Sequence, residues 1–444
     1  MNKVHFITLG CSKNDIDTTT MKSNLNNNSY EITSNPNDAN VIVVNTCGFI
    51  EAAKEESINT ILEAAKLKEN GNLKKLVLAG CLAQRYSNEL MDEILEVDGI
   101  IGTGSFKDIN DVIDSAFDGD RKILLEDFNE YTQEINYKDD VQVSEYVRIA
   151  EGCNNNCSYC IIPKLRGRNN SRPIEEIVKE VEYLTANGTR EIILIAQNST
   201  DYGIDLYKDY KLKELVAELS KIELLKWIRI LYLYPDNFTD ELIEEFKTNP
   251  KLLKYVDIPL QHISDNVLKK MYRKTSKAQI ETLIKQLRNN IPDIAIRTTF
   301  IVGFPGETEE DFEELVEFLD EYKLDRVGAF AYSREEDTPA YFMDNQIDEE
   351  VKNERLERIM GIQQDISAEI MLGKIGSELE VLIEEEIEDG IYSGRSYLDA
   401  PEIDGNIYVS SDKELEIGAF YKVRISNSLE FDLEGEVIWI QQTN

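Results

Sequence analysis

Histidine is almost missing from this sequence: among 444 residues only His5 and His262 carry an imidazole. Neither lies near the cysteines at 153–160, so neither can complete a structural zinc site there, which needs four nitrogen or sulfur ligands at short range. Long apolar runs are missing too; none approaches the roughly 18 residues of a membrane span. The stretch Met1–Gly10 lacks the apolar segment and small-residue cleavage site of a secretory signal and reads as a first strand, so a cytoplasmic protein is expected. Positive charge is the third shortage. Lys and Arg number 48 against 85 Asp and Glu, for a net charge of −37. Proteins that grip nucleic acid present a basic face, so this balance argues against a nucleic-acid substrate; an acidic chain attracts basic proteins, but solubility alone accounts for the charge equally well, and charge names no partner.

Six cysteines are present. In a chain of this class they point to metal binding or catalysis rather than disulfides. Three of them, Cys153, Cys157 and Cys160, fall within eight residues, directly after the apolar run Val147–Ala150. Soft thiolates so close together select zinc or iron–sulfur clusters. The other three cysteines lie more than seventy residues upstream, so this set is one ligand short. Three thiolates on a four-iron cluster leave one iron open to a substrate or cofactor.

Those upstream cysteines share a pattern. The β-rich runs beginning at Val4, Val41 and Leu76 lead to Cys11, Cys47 and Cys81, beside Gly10, Gly48 and Gly80. Helical patterns at Thr18–Asn26, Glu51–Lys68, Asn88–Leu95 and Ile109–Phe117 separate or follow them, and Gly99–Gly102 adds a short strand. Such alternation implies a doubly wound parallel α/β domain, whose ligands sit beyond the carboxyl ends of the strands. Three independent core cysteines would be expected inside strands. Placed one step past them, they are expected to converge on a shared metal or cluster site. The acidic stretch that follows, Asp118–Asp140, reads as a linker.

The alternation restarts at Val147. Strands are expected at Val147–Ala150, Glu191–Ala196, Trp227–Leu233, Tyr255–Ile258, Ala295–Val302 and Arg326–Tyr332, with helices between them. Six strand–helix units make a partial (β/α)6 barrel, and the cysteine loop follows its first strand, at the face where barrel enzymes place their chemistry. Gln197–Thr200, Ile258–His262 and Arg297–Glu307 follow other strands; Thr308 with Asp311 reads as a capping box, and His262 as a packed residue. After a long helix, Glu349–Leu372, short strands with Gly turns suggest a small antiparallel β-barrel. The expected domains are therefore 1–118, a linker at 119–140, 141–372 and 373–444.

Cys153-x3-Cys157-x2-Cys160 after the first strand of a partial barrel resembles the radical S-adenosylmethionine superfamily. The three strand-end cysteines and the context Glu151-Gly-Cys-Asn-Asn-Asn-Cys-Ser-Tyr-Cys-Ile-Ile-Pro163 narrow the resemblance to the methylthiotransferases. It implies that Cys153, Cys157 and Cys160 hold a [4Fe-4S] cluster whose open iron binds S-adenosylmethionine. It implies equally that Cys11, Cys47 and Cys81 hold a second, auxiliary [4Fe-4S] cluster carrying the sulfur to be inserted. A second S-adenosylmethionine would supply the methyl group. The resemblance assigns no catalytic side chain beyond these six ligands, and the sequence identifies no residue for the adenine, the ribose or the target, nor the donors of sulfur and electrons.

The tail resembles a TRAM module, which grips nucleic acid in relatives acting on transfer RNA. Here residues 374–444 hold 17 acidic and 5 basic side chains, a net charge of −12. Asp399-Ala-Pro-Glu-Ile-Asp-Gly405 resembles the signature of the RimO branch, which methylthiolates the β-carbon of one aspartate in a small-subunit ribosomal protein. Coulomb attraction of a basic ribosomal protein fits an acidic tail. Two other readings are weaker. The sister activity on an adenosine of transfer RNA would favour a basic tail, and a pure electron carrier would need eight cysteines for two fully ligated clusters.

Overall fold

The computed structural model describes residues 1–26, 29–126 and 140–439. The chain divides into two compact units. The first comprises 1–140, 146–180 and 333–342; the second comprises 141–145, 181–332 and 343–444.

The first unit is built on a six-stranded sheet in the order β2-β1-β3-β4-β5-β6. Its strands are β1 (Asn2–Thr8), β2 (Tyr30–Ile32), β3 (Val41–Thr46), β4 (Lys75–Ala79), β5 (Val97–Ile101) and β6 (Lys122–Leu124), all parallel. The helices are α1 (Ser12–Asn24), α2 (Glu51–Asn70), α3 (Gly80–Arg85), α4 (Ser87–Glu93) and α5 (Ile109–Asp118). β3 reads Val-Ile-Val-Val-Asn-Thr and is buried throughout, as a parallel strand covered on both faces must be. Ile42 and Val44 face one core cluster and Val41 and Val43 another, the alternation that a pleated strand imposes. Chain order reverses between β1 and β3, which makes the gap beyond their carboxyl ends a topological switch point.

Three details depart from the sequence reading. Strands β2 and β6 were not expected, and β6 lies inside the stretch read as a linker; residues 127–139 of that stretch lie outside the described residues. Helix α1 begins at Ser12 rather than Thr18, because its first turns bury Lys13, Asn14 and Asp17 instead of an apolar stripe. A short helix, α3, opens at Gly80, so Cys81 sits in a first helical turn rather than in a loop.

In the first unit the chain past β7 (Ser144–Arg148) forms β8 (Ala150–Glu151), the cysteine loop, α6 (Ile162–Leu165) and β9 (Asn170–Ser171), with β8 and β9 antiparallel. The second unit holds most of the partial barrel. After α7 (Ile174–Ala186), which runs out of the first unit, come β10 (Glu191–Ile195), α8 (Leu212–Leu219), β11 (Trp227–Ile230), α9 (Asp240–Thr248) and β12 (Tyr255–Asp257). Then follow α10 (Asp265–Lys270), α11 (Lys277–Asn290), β13 (Ala295–Val302), α12 (Glu309–Tyr322) and β14 (Arg326–Ala331). The strands hydrogen-bond as β11-β10-β7 and β12-β13-β14. Leu233 N donates to Asp257 O at 2.8 Å and links the two sheets, giving the expected order of six. Thr308 and Asp311 form the expected reciprocal capping box at the start of α12.

Helix α13 (Glu349–Leu372) leads to β15 (Glu378–Glu388), β16 (Ile391–Arg395), β17 (Ile407–Ser410), β18 (Phe420–Ser428) and β19 (Leu433–Val437). They close into a five-stranded barrel in the order β15-β16-β17-β19-β18. Every pair is antiparallel except β17 with β19.

Candidate active site

Adjacent strands in register bring three thiols to one edge of the first sheet. Thr8 pairs with Asn45 and Asn45 with Ala79, so the chain leaves β1, β3 and β4 at the same level. Cys11 is the N-cap residue of α1, Cys47 follows β3, and Cys81 follows Gly80. Gly10, at φ 100°, lets the first turn pass tightly: a Cβ there would stand 2.9 Å from the Cys47 Cβ and 3.1 Å from its Sγ. Cys11 is exposed, Cys47 half-buried and Cys81 buried. Burial pushes the Cys81 thiol up to about 11 and raises that of Cys47, with the neighbouring Cys47 and Cys11 thiols adding to the two shifts. Metal uptake at these thiols therefore displaces protons. Among the described residues, no three His, Cys, Asp or Glu side chains are close enough to hold a single ion.

The other triad lies in the same unit. Gly152, at φ 76°, turns the chain so closely that a Cβ would stand 2.2 Å from Arg168 O. Cys153 N then donates to Gly167 O at 3.1 Å, Asn155 N to Cys153 Sγ at 3.4 Å, and Cys160 N to Cys157 O at 3.1 Å. Ala340 N donates to Ser158 O at 2.8 Å from outside. Cys81 of the strand-end set packs with Ile161 and Leu165, immediately past Cys160. The two thiol sets are thus neighbours across one small apolar contact. No disulfide joins any of the six cysteines, and thiols alone in two sets of three are a donor set that suits iron–sulfur clusters.

Between the sets lies a buried ionic group that sequence reading missed. Asp17, fully buried, accepts from Arg148 at 2.5 Å and from Arg166 at 2.7 Å. Both arginines also pair with Glu151, at 2.7 and 3.2 Å. The available signal was the stretch Ser12–Asp17 directly after a cysteine, polar at every position but Ile16 and so without an apolar stripe to explain its burial.

In the second unit, residues past the barrel strands are held rigidly. Ser199 Oγ donates to Leu231 O at 2.6 Å, and Gln261, at φ 71°, donates its amide to Thr299 O at 2.8 Å. Glu307 accepts from Phe304 N at 3.1 Å and from Arg355 at 2.8 Å. His262 is fully buried, its Nδ1 accepting from Ser264 N at 3.0 Å, and burial lowers its pKa to about 3. It is a neutral packed residue.

The segment Asp399–Gly405 is anchored by its two aspartates, with Glu402 and Ile403 left facing solvent. Asp399 pairs with Arg326; Asp404 accepts from Tyr255 Oη at 2.6 Å and faces Arg297 Nε at 3.7 Å. Just before it, Arg395 pairs with Glu191 at 2.7 Å, and Glu191 also accepts from Arg229 at 3.0 Å. Glu191, Tyr255 and Arg326 are the first residues of β10, β12 and β14. The signature therefore docks the small barrel under the amino ends of the strands, and its two aspartates point inward. Exposed acids include Glu402 within the signature and Glu385, Glu386, Glu388 and Asp389 outside it.

Comparison with known proteins fits this arrangement. Residues 147–319 match the radical SAM superfamily, 3–102 the uncharacterized protein family UPF0004, and 375–438 the TRAM domain. The chain is 51% identical to the ribosomal protein uS12 methylthiotransferase RimO of Clostridioides difficile (strain 630), covering 99% of both chains. It is 52% identical to the RimO of Clostridium botulinum (strain Eklund 17B / Type B), covering 98% of both. The chain belongs to the RimO methylthiotransferase family. It is a radical SAM enzyme, and S-adenosylmethionine with iron–sulfur chemistry follows from that membership. Among solved structures, the radical S-adenosylmethionine methyltransferase TsrM from Kitasatospora setae shares the fold, with a TM-score of 0.55 at 13% identity over 88% of this chain and 77% of that one. No helix among the described residues is long and apolar enough to cross a membrane.

Proposed function

We propose that the protein methylthiolates the β-carbon of one aspartate in ribosomal protein uS12. In this reading Cys153, Cys157 and Cys160 hold one [4Fe-4S] cluster and Cys11, Cys47 and Cys81 an auxiliary one. When bound, the first supplies the electron that cleaves S-adenosylmethionine and so starts hydrogen abstraction, and the second carries the sulfur to be inserted. The chain's own residues do the rest by placement. Gly10 and Gly152 let two turns close enough to present the thiols. Asp17, Arg148, Arg166 and Glu151 keep the two loops in register, and the Cys81–Ile161–Leu165 contact keeps water from between them.

The observation that carries the reading is the meeting of the two three-thiol sets in one unit of a chain about half identical to RimO proteins over its length. The acidic tail supports a basic protein rather than transfer RNA as substrate, since phosphate contacts need positive charge. The deciding experiment is the intact mass of the small-subunit ribosomal proteins with and without this enzyme. A methylthio increment on uS12 alone is expected. An increment on transfer-RNA adenosine instead would overturn the substrate.

A further inference from the structure

The last strand of the partial barrel has a free edge. β14 pairs with β13 alone, in unbroken parallel register from Arg326 opposite Arg297 to Ala331 opposite Val302. One step beyond, Tyr332 N donates to Val302 O at 2.9 Å. Backbone groups alternate between the two sides of a strand. Gly328 and Phe330 therefore turn theirs to β13, as Tyr332 does, whereas Val327, Ala329 and Ala331 turn theirs away. Among the described residues no hydrogen bond reaches those outward N–H and C=O groups. Proteins blunt such edges with charges, prolines or bulges. Val327-Gly-Ala-Phe-Ala331 holds no charge and no proline, and its ladder has no bulge.

Gly328 is an independent observation on the same strand. Its φ lies outside the left-handed region, and a Cβ there would meet nothing nearer than Thr299 Oγ1 at 4.0 Å. Neither conformation nor packing asks for glycine. A glycine in mid-strand weakens the strand and marks close approach by another chain. Gly328 and Phe330 stand opposite Thr299 and Ile301, on the face away from Phe300, whose ring packs on Phe318 of α12 at 6.4 Å. Phe330 is 56% exposed on that face. An unpaired edge, an open glycine and a bare aromatic ring thus coincide, towards the carboxyl end where barrel enzymes meet their substrates.

We propose that β14 is the docking edge for the protein substrate. An extended segment of that protein adds as a further strand on Val327, Ala329 and Ala331, with one of its side chains lying over Gly328 beside the Phe330 ring. Strand addition draws its affinity from main-chain hydrogen bonds, so it fits a protein segment and not transfer RNA, whose backbone has no such ladder. A second copy of this chain is a poor occupant, because each copy carries a net charge of −37; the same charge favours a basic segment. The inference rests on the reading of uS12 as substrate.

The test uses the full chain, reconstituted with iron and sulfide, and a fluorescent peptide copied from the uS12 segment that carries the modified aspartate. Anisotropy gives its Kd. Methylating one backbone nitrogen of the peptide at a time should weaken binding about tenfold at every second position and little between, an alternation that a paired strand produces. Ala329→Pro removes an outward donor and spares the β13 ladder; Gly328→Val fills the open side. Each should raise the peptide Kd and the KM for uS12 about tenfold at an unchanged denaturant midpoint. A uniform methylation scan, or wild-type binding by both variants, overturns the inference. Should Ala329→Pro fail to fold, Gly328→Val and the scan on the wild-type chain still decide. A wild-type dimer that Ala329→Pro dissolves would give the edge to a second copy and overturn it too. If the wild-type chain binds no peptide and leaves uS12 unmodified, the substrate reading itself falls; if it modifies uS12 but the peptide shows no binding or no alternation, only the docking edge does.

Discussion

At the scale of single residues, the two thiol sets should separate in experiment. Cys157→Ala leaves two thiolates on the proposed cluster at 153–160, so release of 5′-deoxyadenosine from S-adenosylmethionine should drop to background. Wild-type release from that variant would refute the ligand assignment. Cys47→Ala should cleave S-adenosylmethionine normally and yet form no methylthio product, which mass spectrometry of the peptide substrate reads directly. His262 gives a pH signature. Burial holds its pKa at about 3, below the ordinary value of 6.5. The folded state therefore binds fewer protons than the unfolded one, and stability falls as pH drops from about 6.5 towards 3, by about 1.4 kcal/mol per pH unit inside that window. Denaturant midpoints at pH 7, 6 and 5 should decline for the wild type. His262→Gln should flatten that slope, and an unchanged slope would assign the acid sensitivity to other groups.

At the scale of elements, the junction between the partial barrel and the small β-barrel is ionic. Burial alone would raise the Glu191 carboxyl, but Arg395 and Arg229 outweigh it and hold it at about 2. Its contribution is present above about pH 4.5 and fades as pH falls towards 2. Glu191→Ala would leave the buried Arg229 guanidinium without its carboxylate while Arg395 keeps Glu384, which should cost about 3–5 kcal/mol. Differential scanning calorimetry should show this as an earlier melting step; an unaltered thermogram would mean that the arginines find water or other partners. Several elements of this unit are legible because they are amphipathic: α11, α12 and β13 fall where periodicity and caps put them, and α13 falls where expected although it buries Lys352, Arg355 and Gln363 beside its apolar residues. Helix α1 was read too short for the opposite reason. Asn14 and Asp17 are buried against arginines remote in sequence, and hydrophobic periodicity carries no trace of ion pairs.

For the whole molecule, the net charge of −37 dominates encounters with other macromolecules. A basic ribosomal protein should be drawn in by long-range attraction that salt screens. Raising ionic strength from 50 to 300 mM should therefore increase KM for the protein substrate severalfold and leave kcat almost unchanged. A KM indifferent to salt would place recognition in apolar contacts. Asp399 and Asp404 of the signature are committed to Arg326, Tyr255 and Arg297, whereas Glu402 and acids spread along the tail, among them Glu378, Glu414 and the hairpin at 385–389, are exposed.

The sequence by itself determined the two three-thiol sets, and the resemblance of their context to the methylthiotransferases implied the reaction class. Two sets of three thiols lie at strand ends and in a tight loop, none is left over, and the strand–helix rhythm points them to carboxyl ends; these are local facts of spacing and period. Only the tertiary structure decided which residues stand between the two sets and what the tail signature does. Arg166 meets Asp17 across 149 positions of chain, and Asp404 meets Tyr255 across as many. Such meetings depend on how layers stack, because a buried charge is tolerated only where a partner from another element arrives, and no single stretch of sequence records that arrival.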